Sequence, residues 1–178
     1  MLHTIGRAPR NGDVVDLFIE CHARIRFFTG LAIAAGERSD ASSEDIIDGC
    51  ERVERYFTIA FPRHLKDEEE SVLPRLRGRS PELDSSLTKM AREHDEHAGG
   101  LEELLKYCKE VRLNPTDGAA RAALTRVARY LSAEFEPHLK NEEDVIFPAI
   151  RALLPIEEQN AIRSELRARR ADLLTPPI

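Results

Sequence analysis

Tryptophan is absent from this 178-residue chain, cysteine occurs three times, and no apolar run approaches the roughly 20 residues that a membrane-spanning helix requires. The cysteines, Cys21, Cys50 and Cys108, are odd in number and share no spacing, which argues against a disulfide framework and against a thiolate zinc site. Cys50 and Cys108 read instead as reduced core residues. Basic charge is scarce too: 26 Lys and Arg stand against 32 Asp and Glu, a formal net charge of −6. With no basic face to neutralise phosphates, nucleic acid is not an expected partner. Met1 to Asp13 holds two arginines and nothing resembling a leader's apolar segment. The sequence therefore predicts a soluble cytoplasmic protein with no membrane partner. Strand-like alternation is missing throughout, so an all-α protein is the economical reading.

What is present is helical periodicity broken by recognisable stops. A first helix is expected from Asp13, as N-cap, to Ala35, with Gly36 in the C′ position and Val15, Phe18, His22, Ile25 and Thr29 facing inward. The second follows the Ser42 and Ser43 caps and turns Ile46, Cys50, Val53, Phe57, Phe61, His64, Glu68 and Val72 inward, and Pro74 should stop it. The third opens at Ser80-Pro81, and its stripe runs through Leu83, Leu87, Met90, His94, His97, Leu101, Leu104, Cys108 and Val111. Past Asn114-Pro115 and Gly118, the fourth buries Leu124, Val127, Leu131, Phe135, His138, Glu142 and Val145 before Pro148. A shorter Arg-rich helix covers residues 156 to about 172. The expected organisation is an arm at 1–12, an up-down four-helix bundle at 13–155, and a fifth helix with a tail at 156–178.

Residues 55–76 align on residues 129–150 without a gap: RYFTIAFPRHLKDEEESVLPRL stands over RYLSAEFEPHLKNEEDVIFPAI. Helices two and four thus look like copies of one element, related by a pseudo-twofold. Each carries a histidine and a glutamate four residues apart, His64 with Glu68 and His138 with Glu142, which places both side chains on one helix face. His22 and His94 supply imidazoles from the other two helices. A lone histidine on an apolar stripe is ordinarily a satisfied core residue. Four imidazoles and two carboxylates facing inward together, without a cation, would cost several kcal/mol. A nitrogen and oxygen ligand set without thiolates suits iron or manganese. Pro62 and Pro137, just before the histidines, should bend the helices there. Tyr56 and Tyr130 read as core residues first and as redox or oxygen-gating residues second, Glu134 as a rim charge or a carboxylate just behind the ligands, and Glu69 and Glu143 as solvated or ion-paired, because they turn about 140° away from the histidines of their own helices.

The order His, His-x-x-x-Glu, His, His-x-x-x-Glu resembles the hemerythrin-like family of histidine and glutamate cation-binding domains. HLKDEEESVLP, HLKNEEDVIFP and REHDEH are also similar to the di-iron proteins implicated in repair of iron-sulfur centres. The resemblance spans roughly residues 12 to 170 and implies a hemerythrin-like bundle with two non-haem iron ions, manganese or zinc being the substitutes. It implies His22, His64, Glu68, His94, His138 and Glu142 as ligands, with both glutamates bridging. His97, three residues from His94, is either a further ligand or a residue just behind the ligands. The implied function is binding or sensing of O₂, or of peroxide or nitric oxide, with an unknown reductant protein as a further partner. Two alternatives stay open: a di-iron enzyme or iron-donating repair protein in oxidative or nitrosative stress, and an interaction module that its metal merely staples together.

Overall fold

The computed structural model describes residues 12–171, and among them every regular element is helical. The expected arm at 1–12 lies outside the described residues except for Gly12, as does the tail beyond 171. Helix α1, Val14–Glu37, opens on a reciprocal cap in which Asp13 and Asp16 each accept the other's backbone N–H. Helix α2 spans residues 43–76 and begins with the same device between Ser42 and Asp45. Ser80 caps α3, Pro81–Leu113, and Asp117 caps α4, residues 118–153. Helix α5, Ile156–Ala168, follows Pro155. Consecutive helices pack side by side and α4 returns to lie against α1, which closes the up-down bundle.

Several residues that read as helix stops have another use. Gly36 lies inside α1, where an added Cβ would sit 2.2 Å from Thr125 Oγ1 and 2.9 Å from the Arg121 carbonyl oxygen. It marks a close approach of α1 to α4. Pro74 and Pro148 do not end their helices, which run on to Leu76 and Leu153. Each follows a wide turn in which an N–H reaches the carbonyl five residues back, Leu73 to Glu68 and Phe147 to Glu142. Proline lacks an N–H and its ring would strike the preceding turn, so the widening lets the chain continue. A third wide turn, Tyr56–Ala60, precedes Pro62, whereas Pro137 sits in a continuous α-helical stretch, Gly118–Asn141, with no widening.

The inserted residue also shifts which side chains face inward. Val145, expected in the core, is 39% exposed, and Ile146 is buried in its place. Tyr56 is buried and stacks on Phe28 at 4.2 Å, while Tyr130, expected to pack likewise, is 59% exposed. Helix α4 lacks the wide turn that α2 has between Tyr56 and His64, so the same eight-residue interval ends on a different face.

The core is layered. One apolar cluster gathers Ile25, Val53, Phe57, Phe61, Leu104, Leu124, Leu131 and Phe135 with Cys50 and Cys108. A second gathers Phe18, Val72, Leu76, Met90, Ile146, Phe147 and Ile150, and the α5 residues Ile162 and Leu166 join it. Each fully buried Leu, Ile or Phe contributes about 1.5–3 kcal/mol of transfer free energy. Between the clusters, every bundle helix passes through a layer of buried polar side chains. Among the described residues, no helix is long and apolar enough to cross a membrane.

Candidate metal centre

Six side chains meet in that middle layer: His22 from α1, His64 and Glu68 from α2, His94 from α3, and His138 and Glu142 from α4. Each is at most 6% exposed. Their donor atoms fall into two groups, His22, His64, Glu68 and Glu142 in one and His94, His138 and Glu142 in the other. Glu142 faces both, with Oε2 3.0 Å from His22 Nε2 and Oε1 3.0 Å from His138 Nε2. Glu68 divides its oxygens in the same way, Oε1 lying 3.3 Å from His64 Nε2 and Oε2 3.4 Å from His94 Nε2.

Closeness here does not amount to hydrogen bonding. Among the described residues, all four carboxylate oxygens, and Nε2 of His22 and of His94, are buried without a hydrogen-bond partner. Buried polar atoms in folded proteins are nearly always paired, and leaving one unpaired costs about 1–3 kcal/mol. Atoms that converge without bonding to one another share a missing partner in the middle. Imidazole nitrogens and carboxylate oxygens suit a divalent cation of the first transition row, so the residues fit metal ions.

Carboxylates from neighbouring helices hold the outer edges of three histidine rings. His22 Nδ1 lies 2.8 Å from Glu143, His94 Nδ1 2.7 Å from Glu69, and His138 Nδ1 3.0 Å from Glu93. Arg26 in turn donates to Glu143 and Glu136. A proton kept on Nδ1 for the carboxylate leaves the Nε2 lone pair directed inward. His64 is the exception, its Nδ1 buried with no hydrogen-bond partner among the described residues. The residue before His94 is Glu93, which serves His138, and the residue before His22 is Cys21, which offers His64 no carboxylate.

Electrostatics separate the histidines. Burial disfavours the His22 imidazolium, but the Glu142 and Glu68 carboxylates against it outweigh that and lift its pKa to about 10. His94 is lifted to about 11 by Glu142, Glu68 and Glu69 against the same opposing burial. His138 is raised likewise, chiefly by Glu142. Burial lowers His64 and brings His97 down to about 4. Both glutamates are lowered despite desolvation, by the histidines around them.

Helix α3 places His97 apart from the two donor groups, buried against His138 at 5.2 Å and Phe135 at 4.8 Å between ring centres. Glu134 is exposed. Glu69 and Glu143 do point away from the histidines of their own helices, as their rotation requires, yet that direction meets a histidine on the next helix. Their equivalence in the repeat, 69 plus 74 being 143, was the signal that could have found them. Glu93, Arg26 and the salt-bridged Asp67 carry no sequence signal, because their partners come from distant parts of the chain. A family model described as the hemerythrin HHE cation binding domain matches residues 13–150. No curated protein gives a significant match.

Proposed function

Because this chain belongs to the hemerythrin HHE cation-binding family, we propose that its pocket holds two iron ions and binds O₂ reversibly, as a carrier or sensor in the cytoplasm. The observation that carries this reading is the division of both carboxylates between two histidine pairs. His22 and His64 would hold one ion and His94 and His138 the other, with Glu68 and Glu142 bridging them. His97 would line the second ion's side.

When bound, two ferrous ions would supply the electrons that let O₂ bind and leave unchanged. The remaining work belongs to the chain. Glu143, Glu69 and Glu93 orient the imidazoles, so that little reorganisation accompanies a change of charge in the pocket. Phe147 stands 4.9 Å from His22, and Phe18 and Phe61 each stand 6.2 Å from His64. These rings keep water from the ligand atoms and so favour release of O₂ over irreversible oxidation. Imidazoles outnumber carboxylates in the ligand set, which leaves less negative charge on the metals than a carboxylate-rich site would. Peroxide and nitric oxide are small enough to enter the same pocket.

The test is anaerobic loading with ferrous iron followed by exposure to O₂. A visible charge-transfer band should appear and then fade on deoxygenation. A permanent ferric spectrum would instead favour an enzyme that turns over its oxidant, and failure to take up iron would overturn the assignment.

A further inference from the structure

Asp67 is fully buried and directly precedes Glu68, at the start of the wide turn Asp67–Val72. Its carboxylate does not face the pocket. It is gripped instead by two arginines at the end of α5: Arg169 Nη1 donates to Oδ1 at 2.9 Å and Arg170 Nη2 to Oδ2 at 2.5 Å. Arg169 also donates to Ser71 Oγ in the same turn and to Glu70, and its carbonyl accepts from Arg63 Nε. The two residues just past the C-terminal helix are thus fastened to the wide turn that carries Glu68. Among the described residues, the other half of the repeat has no such fastening: Asn141 stands where Asp67 stands in the first copy, and its side-chain nitrogen finds no hydrogen-bond partner among them. Helix α5 also lies beyond residues 13–150, the part matched by the family model.

We propose that Arg169 and Arg170 are positioning residues for the metal pocket: they fix Glu68 through Asp67, so that docking of α5 controls how fast a bound cation leaves. A buried carboxylate stripped of its cationic partners rotates toward water. A wide turn has fewer regular hydrogen bonds to resist that rotation than an α-helical turn. Because Asp67 and Glu68 are consecutive, the movement withdraws Glu68 from between His64 and His94.

The inference rests on the metal reading above, and the experiment separates the two. Wild-type protein, the Arg169→Gln/Arg170→Gln double variant and Arg75→Gln are loaded anaerobically with ferrous iron and mixed with excess nitrogen chelator. The release rate is followed optically, and helix content and thermal midpoint are recorded for each. Arg75→Gln is the control because Arg75 ties α2 to the same α5 through Glu165 at 2.7 Å and reaches the wide turn only at the Ser71 carbonyl, without touching Asp67. The double variant should release iron at least tenfold faster than wild type, Arg75→Gln should stay within about twofold, and Arg169→Lys/Arg170→Lys should restore much of the retention. If the double variant fails to fold, Asp67→Asn takes its place with the same expectation. Equal rates in all variants overturn the latch while leaving the metal site standing, and equal acceleration by Arg75→Gln reduces it to generic docking of the helix. Wild-type protein that takes up no iron overturns the reading beneath it.

Discussion

Loading the apoprotein with a divalent cation at pH 7 should expel protons. His22 and His94, with pKa values of about 10 and 11, carry imidazolium protons at pH 7, and His138 is raised in the same direction. His64 is lowered by burial and has no proton to give. Glu68 and Glu142 are lowered and already ionised. Metals bind only the neutral imidazole, so full loading should release about two to three protons per protein. The overall constant for binding both ions should then rise about 100-fold or more per pH unit near neutrality, which is about tenfold or more per ion. Calorimetric titration with zinc, which is redox-silent, in buffers of different ionisation enthalpy gives the proton number from the slope of observed heat against buffer heat. Fewer than one proton per fully loaded protein would refute the reasoning, since the histidines would then be neutral in the apoprotein. The same shifts set the pH dependence of apoprotein stability. The raised histidines stabilise fully below their unfolded pKa of 6.5, and that stabilisation is lost as pH rises through about 10 to 11. The lowered glutamates stabilise above 4.5, and their contribution disappears as pH falls through their depressed values. Apoprotein melting temperature should therefore be highest between about pH 4.5 and 6.5, fall as pH rises from there toward 10 to 11, and fall again in acid.

Glu142→Ala removes the carboxylate shared by both donor groups and leaves the buried His22 and His138 imidazoles without their nearest acidic partner, so metal content should drop to one ion or fewer by elemental analysis. The same variant should lose about 3–5 kcal/mol in apoprotein denaturation at pH 7. Gly36→Ala should cost about 1–3 kcal/mol, because its Cβ would meet backbone and side-chain atoms of α4. Gly99→Ala, inside α3 with nothing near its Cβ, should stabilise by about 0.5–1 kcal/mol. Equal effects of the two in urea titration would sink that contrast. A thiol reagent should find no more than the half-buried Cys21 in native protein and all three cysteines after denaturation.

Helix number, the six inward polar positions and the pseudo-twofold followed from the sequence alone. Periodicity and the repeat depend only on order along the chain, and a residue four places from another shares its face whatever surrounds the helix. Reading Pro74 and Pro148 as stops, and Val145 as inward, failed for one physical reason: a wide turn costs a residue of register that no single position announces. The tertiary structure decided everything that depends on neighbours from other helices. It alone gave Glu69, Glu93 and Glu143 to histidines across the bundle, left His64 without a carboxylate, and kept His97 apart from the donor groups. It alone brought Arg169 and Arg170 to a carboxylate about a hundred residues earlier in the chain. Such contacts arise from how helices lie against one another, and spacing within one helix carries no information about that.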